Sequence, residues 1–378
     1  MSLASPETGV SAGARSGGRS VFGPPAIDCD AHASVPSIKA LMPYLDAYWR
    51  QQFTTRGIDR LSWNLTSDPP NAPISGRPDW RPKEGRPGTS LDLLREKVLD
   101  GFGVSHAILT CVYGGAALHS EDMAAVVCRA MNEWMAKEWL DREPRLRASI
   151  VVPLNNPDLA AEEIERCAGD PRFVQVSMLA AAGEPLGKRH HWPIYRAAEK
   201  HGLPVAIHAG SLYHHPPMAN GYGSYFLEDY VAQAFAFESA VLSLVSEGVF
   251  AKFPSLKIVF QESGVTWLPA ALWRFNKTWR GVRAEIPWVK RAPSEIVRDH
   301  IRLTLQPFDA PDGARRLERF CEQMGSDRMI LFSTDFPHWH YEGTDALPVD
   351  PASDLARGIL FDNPRDTYRR LDLQEALA

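Results

Sequence analysis

Two carboxylates and a histidine stand at alternate positions in "AIDCDAH" (26–32): Asp28, Asp30 and His32. Successive strand side chains point to opposite faces, so a strand here would present these three together and Ile27, Cys29 and Ala31 on the other side. Similar residues close three later apolar runs. His208 lies in "LPVAIHAG" (203–210), Gln261 and Glu262 in "LKIVFQES" (256–263), and Asp335 in "MILFSTDF" (329–336), with Pro337 and His338 directly behind. Imidazole nitrogens and carboxylate oxygens projected from separate strands suit a divalent metal that keeps one position open for water or substrate. Such an ion lowers the pKa of bound water or polarises a carbonyl. Taken singly, Asp30 can cap a loop and Asp335 can hold an Asx turn. Taken together they point to a site, because buried carboxylates without partners cost several kcal/mol.

The elements that must position these residues follow from hydrophobic period. Eight short β-branched runs (26–32, 106–113, 146–154, 173–179, 203–210, 256–263, 301–308 and 329–336) alternate with segments of helical period at 93–101, 120–141, 158–168, 192–201, 227–251, 265–283, 311–323 and 352–360. Strands alternating with helices imply parallel pairing through right-handed crossovers. Eight such units in 378 residues fit an α/β fold of the closed (β/α)8 TIM-barrel type better than a doubly wound sheet. No Gly-rich phosphate fingerprint follows the first strand, which counts against the second architecture. Barrel active sites lie at the C-terminal strand ends, where the residues above fall. The barrel is expected to occupy 21–378 as one domain, with a long insertion at 33–92 after the first strand. That insertion holds "PYLDAYWRQQF", a short helix candidate, and then a Pro- and Gly-rich stretch suited to a lid over the mouth.

Composition narrows the class. Hydrophobic residues make up 44% and charged residues 23% of the chain, as in a soluble globular protein. The net charge of -5 gives no electrostatic reason to expect nucleic acid, and no apolar run approaches the roughly 18 residues of a membrane span. Residues 1–20 are rich in Ser, Gly and Ala without a secretory apolar core, and read as a flexible tail. Five scattered cysteines indicate neither a disulfide framework nor a CxxC zinc site, so a reducing cytoplasm is expected.

The motifs resemble those of the amidohydrolase superfamily, in particular the amidohydrolase-related branch that includes aminocarboxymuconate-semialdehyde decarboxylase. The resemblance runs over roughly 26–370 and rests on "DCDAH", "VAIHAG", "FSTDFPH" and "FPSLKIVFQESGVTWLP" (253–269). It implies metal ligation by Asp30, His32, His208 and Asp335, with Asp335 also handling a proton. Two departures stand out. Glu262 in "QESG" occupies the region where those decarboxylases commonly carry histidine, and the strand-one pair begins with Asp30 rather than histidine, a variation the branch tolerates; "FVQVSML" also lacks the lysine that bridges dinuclear members. One divalent metal is therefore expected, zinc first and manganese second. Glu262 can serve as catalytic base, as a further ligand, or as a carboxylate orienting a ligand histidine. His338, Trp339 and His214 are substrate-binding candidates on the loops behind the strands, and Tyr44, Trp49 and Trp63 of the insertion can add aromatic wall.

The resulting expectation is an enzyme that hydrolyses a small cyclic or aromatic substrate with metal-activated water. The alternative is non-oxidative decarboxylation of an aromatic or muconate-type acid, and a metal-free binding barrel is the third reading. The resemblance also implies a homodimer or higher homo-oligomer.

Overall fold

The computed structural model describes residues 25–59, 61, 76–111, 113–211, 216, 218–309, 315–338, 347 and 349–371. The 1–20 tail, Trp63, His214 and Trp339 lie outside them. Eight parallel strands run in sequence order: β1 Ala26–Ala33, β2 Val104–Cys111, β3 Leu146–Val151, β4 Phe173–Ala181, β5 Val205–Ser211, β6 Ile258–Gln261, β7 Ile301–Thr304 and β8 Ile330–Leu331. The barrel is nearly closed by contacts past the short β8. Cys29 N donates to Phe332 O at 2.9 Å, Asp335 N donates to Asp30 O at 2.9 Å, and Ala31 bridges Phe336 in parallel.

Helices of eight residues or more are α1 Ala47–Arg56, α2 Glu121–Met135, α3 Pro157–Cys167, α4 Trp192–Lys200, α5 Phe226–Ser246, α6 Trp267–Val282, α7 Pro293–His300 and α8 Arg316–Met324. Their starts follow local chemistry. The Ser120 side chain caps α2 by accepting from Met123 N, with Glu121 and Asp122 in the first turn; Asn156 caps α3, where Pro157 needs no intrahelical donor. The eight-residue α7, opened by Pro293, has no counterpart among the periodic segments expected from sequence. Among the described residues, no helix is long and apolar enough to cross a membrane.

The expected alternation in β1 is broken. Asp28 pairs with Ala107 but Ala31 pairs with Leu109, so β1 carries one extra residue in a bulge. As a result Ile27 and Cys29 join an interior cluster with Ile108, Val174, Val259 and Leu331, while Ala31 and Ala33 pack outward with the helix-facing core. Asp28 does not share the face of Asp30 and His32. Its carboxylate accepts from Thr334 N at 3.0 Å and Thr334 Oγ1 at 2.5 Å, tying β1 to the chain beyond β8.

In the described parts of the insertion, short helical turns at Ile38–Leu41 and Met42–Tyr44 lead into α1, where Asp46 accepts from Trp49 N and Gly57 ends the helix in the left-handed region. Its later part is fastened to the mouth. Ser34 N donates to Gly88 O at 2.8 Å, Arg77 N donates to Pro337 O at 2.8 Å, and buried Trp80 packs on Phe336 at 5.4 Å.

Candidate metal centre at the barrel mouth

The ends of β1, β5, β6 and β8 bring Asp30, His32, His208, Glu262, Asp335 and His338 together. His32 Nε2 lies 2.9 Å from Asp335 Oδ1, 3.1 Å from Glu262 Oε1 and 3.9 Å from Asp30 Oδ1. Glu262 Oε1 is also 3.2 Å from His208 Nε2 and 3.2 Å from His338 Nδ1, and His338 Nδ1 is 2.7 Å from Asp335 Oδ1. Two overlapping groups each offer ligand atoms within 4.8 Å of one another: Asp30, His32, His208 and Glu262, and His32, Glu262, Asp335 and His338. Glu262 belongs to both. The expected ligands are thus assembled, and Glu262 and His338 stand among them rather than behind them.

The backbone is bent to achieve this. Glu262 and Asp335 both have φ of 54°, in the left-handed region that non-glycine residues avoid. Each such residue costs of order 1 kcal/mol or more, and an outlier of this kind is itself a pointer to a working site. It also explains why β6 ends at Gln261, sooner than the sequence suggests, since the left-handed residue that follows leaves the ladder.

Neighbouring backbone fixes the two ligand-type imidazoles. His32 Nδ1 donates to Thr110 O at 3.2 Å and His208 Nδ1 donates to Ala209 O at 2.6 Å, so each turns Nε2 toward the carboxylates. This is the arrangement that selects a metal-binding tautomer. Asp30 is fully buried, and neither of its carboxylate oxygens has a hydrogen-bond partner among the described residues. Burial pushes its carboxyl up to about 7 against the pull of His32 and His208. For His32 burial opposes the charged ring, but hydrogen bonds to Asp335 and Glu262 win and raise it to about 10. Burial opposes charge on His208 and His338 as well, and is outweighed by Glu262 beside His208 and by Asp335 beside His338, so both are raised. Glu262 is held well below the usual range despite its burial, because three imidazoles face it. A divalent ion would satisfy Asp30 and neutralise most of the charge of three carboxylates. The donor set fits a metal.

One participant carries no motif. Tyr230, on α5, is half-buried and donates from its hydroxyl to Glu262 Oε2 at 3.4 Å. It sits in a long apolar helix that reads as core, so its type and spacing give no signal. Of the cluster proper, His338 is the most exposed, at 22% of its side chain.

An eight-stranded barrel with buried acids and imidazoles converging at its mouth defines a metal-capable enzyme scaffold. A family model described as "Amidohydrolase" matches residues 27–370, and the chain belongs to that family. The resemblance to its decarboxylase-containing branch is borne out, and the chain is an enzyme of the superfamily. A gamma-resorcylate decarboxylase from Rhodococcus jostii (strain RHA1) is 28% identical over 309 residues, covering 72% of this chain and 89% of the relative. Among solved structures, 5-carboxyvanillate decarboxylase from Sphingomonas paucimobilis shares the fold with a TM-score of 0.67 and 18% identity, over 91% of this chain and 99% of that one. A dihydroxybenzoic acid decarboxylase from Polaromonas sp. JS666, with bound manganese and the inhibitor 2-nitroresorcinol, matches with a TM-score of 0.62 and 19% identity, over 92% and 97%. These relatives support the decarboxylase alternative over the hydrolase that sequence reading placed first.

Proposed function

We propose that this protein is a metal-dependent, non-oxidative decarboxylase of a hydroxylated aromatic carboxylic acid. The carrying observation is the mouth cluster of three carboxylates and three imidazoles in a chain whose relatives act as decarboxylases. Asp30, His32, His208 and Glu262 would hold the ion, with Asp335 at its edge. Three carboxylates among these residues, and the manganese in the Polaromonas structure, favour manganese over zinc. When bound, the ion supplies positive charge for the substrate carboxylate and an adjacent phenolic oxygen, which the three carboxylates of the mouth would otherwise repel.

The reaction replaces the ring carbon–carboxylate bond with a carbon–hydrogen bond: one proton is added to the ring carbon, and its bond electrons return to the ring as CO2 leaves. The chain must therefore hold a proton near that carbon. Asp335 suits this task, since its Oδ1 accepts from His32 and His338 while Oδ2 has no partner among the described residues. His338, the cluster's most exposed side chain, and half-buried Tyr230 are the groups a substrate reaches first. Tyr230 also restrains Glu262 Oε2 while Oε1 faces the imidazoles. Trp339 and His214, which follow β8 and β5 in the sequence, are retained as substrate-side candidates.

The test is to incubate manganese-loaded protein with 2,6-dihydroxybenzoate and related phenolic acids, and separately with cyclic amides and lactones. Release of CO2 with the decarboxylated phenol, and no ring opening in the second set, is expected. Ring opening without CO2 release would restore the hydrolase reading.

A further inference from the structure

Strand β7 brings no ionisable group to the mouth, and its inward face ends in the neutral side chain of Gln306. Pairing with the β8 segment continues past Thr304: Leu303 N donates to Met329 O and Leu305 N to Leu331 O, each at 2.8 Å. Ile301, Leu303 and Leu305 pack in the helix-facing core. Alternation therefore sends Thr304 and Gln306 toward the barrel axis, and Thr304 stands level with Leu331 of the interior cluster. Both residues are tied to the metal-site segments. Thr304 Oγ1 accepts from Glu262 N at 3.2 Å, and Gln306 N donates to Ser333 Oγ at 3.0 Å, two residues before Asp335. Gln306 thus lies one layer nearer the mouth than Thr304, between the strand end that carries Glu262 and the segment that carries Asp335.

The Gln306 side chain is buried, at 2% exposure, and its Nε2 has no hydrogen-bond partner among the described residues. Gln261 on the neighbouring strand shows the ordinary outcome, its Nε2 donating to Cys29 O at 3.0 Å. A buried amide N–H without an acceptor costs folding free energy, and it marks a place for something that brings one. An N–H group cannot ligate a cation, so the missing partner is an oxygen.

We propose that Gln306 is a specificity-determining residue, whose side-chain amide donates to a second ring oxygen of the aromatic acid, ortho to the carboxylate and not held by the ion. This rests on the reading of the mouth as a decarboxylase of hydroxylated aromatic acids, in which the ion takes the carboxylate and one adjacent phenolic oxygen. Gln306 is tied to the segment of Asp335, the proposed proton carrier for the carboxyl-bearing carbon, so the ring oxygen beside that carbon is the one assigned to it. The amide recognises a hydroxyl without adding charge to the three carboxylates. A site built to hydrogen-bond a hydroxyl rejects the analogue that lacks it, because its own donor is then left buried and unpaired.

The experiment is titration calorimetry of 2,6-dihydroxybenzoate and 2-hydroxybenzoate into manganese-loaded Asp335→Asn protein, whose slowed turnover lets binding be read, with Gln306 intact and with Gln306→Met. With Gln306 intact, the dihydroxy acid is expected to bind about tenfold more tightly; in Gln306→Met the two dissociation constants should come within about twofold of each other. Thermal unfolding should show no loss of stability, because no partner of Nε2 is removed. Should Gln306→Met fail to fold, Gln306→Leu takes its place. Equal affinities with Gln306 intact, or a preference that survives the substitution, would overturn the inference; a loss of stability with the preference intact would make Gln306 a structural group instead. CO2 release by protein with Asp335 intact is read separately, so its absence would fault the reaction while the binding preference still decides the role of Gln306.

Discussion

The two halves of the barrel mouth solve the problem of buried polarity differently. On β2, β3, β4 and β6 a layer of neutral groups pairs mostly within the barrel: Thr110 Oγ1 meets Ser149 Oγ at 3.0 Å, Gln175 Nε2 donates to Ser149 Oγ at 2.8 Å, and Gln261 Nε2 donates to Cys29 O at 3.0 Å, while Gln175 Oε1 is left without a partner among the described residues. In the C-terminal parts of β1 and β5 and past the ends of β6 and β8 the groups are ionisable, share oxygens among three imidazoles, and leave Asp30 without a hydrogen-bond partner among the described residues. The neutral layer carries no charge that an ion must balance. The charged cluster is complete only with a cation, and this difference separates a packed interior from a reaction centre.

Substitutions on the two sides should therefore fail in different ways. Asp335→Asn removes the proposed proton carrier with little change of shape, and should lower the rate of CO2 release by on the order of 10³-fold while the protein stays folded. Steady-state assay beside thermal unfolding checks this; a variant with near wild-type turnover would remove Asp335 from the chemistry. Ser149→Ala should do the reverse. It strips a partner from both Thr110 and Gln175, costing about 1–3 kcal/mol in urea unfolding, yet should leave metal content unchanged. If stability held and metal were lost, the division between the two sides would be wrong.

A smaller effect sharpens the contrast from outside the mouth. Buried Glu143 comes with its own cations, accepting from Arg145 Nε at 2.8 Å and Arg95 Nε at 2.9 Å. Burial opposes its charge, but Arg145 and Arg95 hold the carboxyl down at about 2. A depressed folded pKa contributes stability above the unfolded value near 4.5 and loses it as pH falls through about 2. Glu143→Gln should thus be less stable than wild type by about 1–2 kcal/mol at neutral pH, allowing for solvent screening of the partly exposed arginines. The gap should close between pH 4.5 and 2. A gap that persists unchanged at pH 2 would show that packing, not charge, is responsible.

Much of this was legible from residue types. The eight strands, the closed barrel and the convergence of Asp30, His32, His208, Glu262 and Asp335 follow from period and strand-end position, because parallel strands must aim their C-terminal ends at one mouth. What escaped was local or distant. A single inserted residue in β1 undoes the alternation that would pair Asp28 with Asp30, and no residue type announces a bulge. The left-handed turn at Glu262 shortens β6, because pairing and site geometry compete there. Helix α7 is too short for its period to stand out, and Tyr230 reaches the site only through the packing of α5. The hydrolase-versus-decarboxylase question turned on relatives, since both chemistries use the same side chains.

The most direct test of the account is elemental mass spectrometry on purified wild type, His208→Ala and Asp30→Asn after reconstitution with manganese and with zinc. About one equivalent of metal in wild type, lost or sharply reduced in both variants, is predicted. Wild type without stoichiometric metal under either condition, or variants that retain it in full, would contradict the claim that the charged half of the mouth is a metal centre.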